Sequence, residues 1–95
     1  MNESNESAII QVLADRLTKQ RLPRAISLRD KVKEGELLTE FDIVFLEEVF
    51  EDVKQIRPLI DSHPEWQSLA AKVMNIYTDI MQKAMENEKK INNNI

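Results

Sequence analysis

The sequence predicts an all-α protein, a compact bundle of about four helices. Apolar residues recur at spacings of three and four almost throughout, the period of a helix with one buried side. One Gly and three Pro in 95 residues leave few of the turns that a β-sandwich or barrel needs. Helix start and stop signals also punctuate the apolar runs in four places. A chain of this length makes one domain with one core, with no room for a deep substrate cavity as well.

The first helix is expected over about residues 7–20, with Ser7 as N-cap and Ile9, Ile10, Leu13 and Leu17 facing inward. Leu22-Pro23 is expected to break it, because a proline disfavours helical geometry in the residue before it. Pro23 then suits the first position of a second helix, 23–34, which buries Ala25, Leu28 and Val32 and ends at Gly35. The third helix, 40–57, has the strongest start: Thr39 and Asp42 form a capping box, and Leu38 staples onto Ile43. Phe41, Phe45, Leu46, Val49, Phe50, Val53 and Ile56 fall on an arc approaching half its circumference, which makes it the central helix. Pro58 ends or kinks it. The fourth helix, 63–88, starts from a second capping box, Ser62-His63-Pro64-Glu65. As the longest, it overhangs its neighbours; its core side includes Trp66, Leu69, Ala70, Val73, Ile76, Tyr77, Ile80 and Ala84. The polar ends, 1–6 and 89–95, are expected to be disordered tails around a single domain, 7–88.

Charge is distributed unevenly. From Arg16 to Lys33 there are seven Lys/Arg and one acid, and from Glu34 to Asp52 there are eight acids and no base. Lys31 and Lys33 at the end of the second helix, and Glu40 and Asp42 at the start of the third, complement the helix dipoles. That effect fades within a turn, so it does not reach Arg16, Lys19, Arg21 and Arg24, or Glu47, Glu48, Glu51 and Asp52. Glu40, Glu47 and Glu51 form an outward ridge with Val44 between them, while Glu48 and Asp52 flank the core. Two readings follow: a solvated face with cross-helix ion pairs, or a bipolar surface that docks a partner or a second copy.

Catalytic and metal chemistry find little here. With no Cys there is no thiolate site and no thiol nucleophile. The single histidine, His63, lacks a Glu-x-x-His pairing, and Asp61, Ser62 and His63 are sequence neighbours at a helix start, where side chains do not converge as a triad. The acids at Glu47, Glu48, Glu51 and Asp52 have i, i+4 spacing but no calcium loop, and Gly35 is alone, so no phosphate loop exists. No cofactor or metal is expected. The acidic start and the absence of a long apolar run predict a cytoplasmic protein with neither secretory signal nor membrane span.

The segments Leu22-Pro23-Arg24, Phe41-Asp42-Ile43-Val44-Phe45-Leu46-Glu47-Glu48 and His63-Pro64-Glu65-Trp66 resemble a small all-helical family of uncharacterised bacterial proteins. The resemblance implies a compact helical domain and a bacterial source, and it transfers no activity to any residue.

The function expected from these residues is a non-enzymatic protein–protein interaction module or homodimeric adaptor. Its contacts are expected on Glu47, Glu48, Glu51 and Asp52 and on a methionine flank of the fourth helix, Met74, Met81 and Met85, whose flexible side chains suit adaptable docking. The alternative is nucleic-acid binding through Arg16, Lys19, Arg21, Arg24 and Arg29. The negative total charge and the lack of aromatics among these basic residues count against it.

Overall fold

A computed structural model describes residues 3–93, of which 90% are helical, with no strand among them. They form three long helices rather than four. The segments Glu3–Arg16, Leu17–Arg21 and Leu22–Lys33 run as one uninterrupted helix, α1, spanning 3–33. Helix α2 is Glu40–Ile60 and α3 is Gln67–Asn93, the latter entered through a 3-10 turn at Pro64–Trp66.

The expected break at Leu22-Pro23 does not occur, for a local reason. Leu17–Arg21 is wound as a π-helix, and the Leu22 N–H donates to the carbonyl of Leu17, five residues back. A proline inside an α-helix leaves one carbonyl unpaired and clashes with it. A wider turn just ahead of Pro23 relieves both problems and lets the helix continue. The fused α1 is therefore the longest helix, ahead of the 27-residue α3. Its start at Glu3 leaves Ser7 inside the helix rather than at its cap. Of the tails expected at the ends, residues 1–2 and 94–95 lie outside the described residues, while 3–6 and 89–93 are helical.

Two other local signals operate as their chemistry requires. At Gly35, φ is +95°, a left-handed geometry that costs a residue without Cβ little. The Gly35 N–H donates to Val32 O (3.0 Å) and the Glu36 N–H to Lys31 O (3.3 Å), a Schellman closure of α1. At the start of α2, the Asp42 N–H donates to Thr39 Oγ1 (3.1 Å) and the Thr39 N–H to Asp42 Oδ2 (2.9 Å), completing the capping box. Pro58 does not terminate α2, which continues to Ile60. The second expected box is absent: the residue preceding the 3-10 turn is His63, with no side-chain cap bond.

The helices run up, down and up. Arg16 lies against Asp52 and Lys31 against Asp42, so α1 and α2 are antiparallel. The Phe50 ring meets that of Tyr77 with centroids 5.7 Å apart across α2 and α3. Asn87 of α3 is buried against the end of α1, donating from Nδ2 to Val32 O (2.8 Å) and Glu36 O (3.0 Å). These bonds tie the far end of α3 to the Schellman turn, and beyond them residues 88–91 are exposed. The whole measures 58 × 19 × 17 Å.

The core is an axial file of Ile10, Leu17, Val32, Val49, Ile56, Val73 and Ile80, each without solvent contact or nearly so. All three helices contribute to it and none is central. Ile9 and Ile43, expected inside or at a staple, are exposed instead, as are Phe41 and Phe50.

Candidate interaction face

Helix α2 sorts its acids by angle. Those turned toward α1 are matched by the basic block. Asp52, only 4% exposed, accepts from Arg16 Nη1 (3.2 Å) and from Arg21 Nε (3.0 Å). The same Arg21 donates from Nη1 to Glu48 Oε2 at 2.8 Å. One turn from the start of α2, buried Asp42 accepts from Lys31 Nζ at 2.7 Å, and Arg24 Nη2 stands 3.8 Å from its other oxygen. Burial works against the Asp42 charge and alone would raise its pKa. The Lys31 ammonium and both Thr39 bonds outweigh that cost, so the carboxyl is held below the ordinary aspartate value. The Arg24 guanidinium also lies over the Phe45 ring, 4.4 Å from its centroid, with Arg21 at 6.0 Å.

The basic and acidic blocks therefore pair within one chain, and this engages several of the candidates internally. Asp52 is buried, and Glu48 is held by Arg21, so neither belongs to an open acidic ridge. Glu51 is exposed beside Lys54, 3.5 Å away on the same helix. Among the candidate nucleic-acid contacts, Arg16, Arg21 and Arg24 already hold carboxylates. Arg29 is half-buried, its Nε shielded from solvent and without a hydrogen-bond partner. Lys19 alone of the five is exposed and enters no ion pair among the described residues.

The outer side of α2 is different. Phe41 is 82% exposed and Val44, one turn on, is 53% exposed. Leu37 is exposed in the turn before them, and Glu40 and Glu47 border them without entering any ion pair among the described residues. A phenylalanine this open contributes almost nothing to the core, since its apolar surface remains in water. The sequence spacing placed Phe41 on the edge of the buried arc. Its neighbour Val44, three residues on, stands among the outward acids Glu40 and Glu47 and is the sign in the sequence of its position.

The methionine flank is partly sealed. Met74 and Met81 pack against the core edge, while Met85 is 61% exposed. Met74 also lines a half-open groove of about 460 Å³ between α2 and α3, with Phe50, Val53, Ile60 and Ala70 on its floor and Lys54 and Arg57 at its rim.

Among the described residues, Glu48, Asp52 and His63 are not brought together in one cleft. Glu48 and Asp52 converge on Arg21 and are neutralised there, while His63 lies between Glu6 and Glu65, with 3.6 Å separating each nitrogen from the nearer carboxylate. Asp61 and Ser62 are exposed. Among the described residues, no group of three His, Asp or Glu side chains is placed to hold a metal ion, and no helix is long and apolar enough to cross a membrane. No family model, curated protein or solved structure matches the chain.

Proposed function

We propose that this chain is a non-enzymatic protein-interaction module that engages its partner through the outer face of α2. The observation that carries this is Phe41, an aromatic side chain 82% exposed beside Val44 on a well-formed helix. Exposed aromatics with an adjoining aliphatic and a polar rim are the composition of an interface hot spot. The rim is Glu40 and Glu47. Of the acids first expected to serve, Glu47 remains on this face, Glu51 stands at its far edge, and Glu48 and Asp52 serve the fold. Met85 offers a second, smaller contact toward the end of α3.

A capture experiment tests this reading. Immobilised wild-type protein and its Phe41→Ser variant are exposed to cell lysate at low and high salt, with light scattering of each in parallel. The wild type is expected to retain proteins, or copies of itself, that the variant loses. A wild type that is monomeric and retains nothing at either salt, or a variant that retains the same set, overturns it.

A further inference from the structure

The charge left over after intrachain pairing identifies the kind of partner. On the α1 side of α2 the opposite charges cancel: Asp52 and Glu48 face Arg16 and Arg21, and Asp42 faces Lys31 and Arg24. On the outer side nothing cancels Glu40 and Glu47, and Glu36, in the turn beside Leu37, is likewise in no ion pair among the described residues. Of the cations that the end of α1 brings near the start of α2, Arg24 and Lys31 are already engaged by Asp42, while Lys33 stands exposed beside Glu36. The apolar stripe Leu37, Phe41 and Val44 is thus bordered on one side by the uncompensated carboxylates of Glu40 and Glu47, and on the other by the Arg21–Glu48 pair.

From this we infer that the face takes a basic amphipathic helix, one that presents apolar residues at helical spacing with Lys or Arg along the flank that meets Glu40 and Glu47. Apolar anchors meet Phe41 and Val44, and flanking cations meet Glu40 and Glu47, the helix-on-helix mode of recognition. The identification rests on the α2 face being the binding surface at all. A second copy docking antiparallel across a two-fold axis fits poorly, because Glu40 and Glu47 of one copy would meet the same acids of the other. Nucleic acid and anionic lipid are excluded from this face by the same sign of charge.

Three synthetic peptides decide the matter: a short amphipathic helix of Leu and Lys, its Leu/Glu counterpart and its Leu/Gln counterpart. Each is titrated into the full chain and followed by amide chemical shifts. The Leu/Lys peptide is expected to bind about tenfold more tightly than Leu/Gln, weaken with salt, and shift resonances within 36–48. Leu/Glu is expected not to bind. Phe41→Ser is expected to weaken Leu/Lys binding at least tenfold, and the double variant Glu40→Lys, Glu47→Lys to reverse the preference toward Leu/Glu. Both variants change exposed residues, and circular dichroism confirms that they fold. Leu/Gln binding as tightly as Leu/Lys, with no reversal in the double variant, overturns the basic partner and leaves the face intact. Leu/Lys binding undiminished in Phe41→Ser, or shifts lying elsewhere, overturns the docking surface itself. If no peptide binds, the amphipathic-helix partner is overturned, and lysate capture still judges the broader reading separately.

Discussion

The two long sides of α2 carry the same residue types and treat them in opposite ways. Toward α1, a phenylalanine and three acids are absorbed: Phe45 is buried under two guanidinium groups, and Asp42, Glu48 and Asp52 each hold a base. Away from α1, Phe41, Glu40 and Glu47 are left to solvent. One helical turn separates Phe41 from Phe45, and Glu47 and Glu48 are adjacent in the chain. Whether a neighbouring helix lies against the position, rather than residue type, decides which member of each pair holds the fold together and which remains available to another molecule.

Substitution of the same residue type on the two sides makes that contrast measurable. Phe45→Ala removes a buried ring and the surface on which Arg24 rests, and should cost about 3–5 kcal/mol in urea denaturation followed by helical circular dichroism. Asp52→Ala comes next. It strips Arg16 and Arg21 of their shared acceptor, but Arg21 keeps Glu48 and the two arginines remain 39% and 19% exposed, so the cost should be that of lost charged hydrogen bonds, about 1–3 kcal/mol. Glu47→Ala, an acid on the open side, should stay within about 0.5 kcal/mol. Equal losses for Asp52→Ala and Glu47→Ala would erase the distinction between the two sides.

A smaller effect depends on pH. Asp42 has a lowered pKa in the folded state, so its contribution is fully present above the unfolded aspartate value of about 3.9. It is lost as pH falls from there through the lower folded value. Asp42→Asn should therefore be less stable than wild type by on the order of 1 kcal/mol at neutral pH. The gap should close as the medium is acidified below about pH 4. A gap that persists unchanged well below that pH would mean the Asp42 carboxylate charge is not what joins α1 to α2 at this point.

How far the sequence revealed this arrangement depended on the range of the interactions involved. The Thr39–Asp42 box and the Gly35 closure involve residues within a few positions of one another, and their spacing already contains their geometry. The π-turn at Leu17–Arg21 is equally local, but the rule that proline ends a helix competes with a wider turn that rescues it. Only the packing of both halves of α1 on one core shows which prevails. The sign of each charge block was plain, whereas pairing Arg21 with Asp52 across thirty-one positions required the antiparallel placement of α1 and α2. Asn87 illustrates the same limit: in sequence it stands in the polar last turn before the 89–95 tail, and its burial follows only from the nearness of the Val32 and Glu36 carbonyls.

The smallest expected change in stability belongs to the residue with the largest expected effect on binding. Phe41→Ser removes an aromatic ring that is already 82% exposed in the folded chain, so unfolding exposes little more of it. The folded and unfolded states lose nearly the same hydration cost, and the unfolding midpoint should move by no more than about 0.5 kcal/mol. Phe45→Ala, one turn away, differs in that its ring leaves water on folding. Affinity for a Leu/Lys helix reverses the ranking, because docking is the event that removes Phe41 from water. Measured together, the two variants separate burial within the chain from burial against a partner. If Phe41→Ser instead destabilised the fold by several kcal/mol, the ring would be packed in solution and the outer face of α2 would lose its anchor.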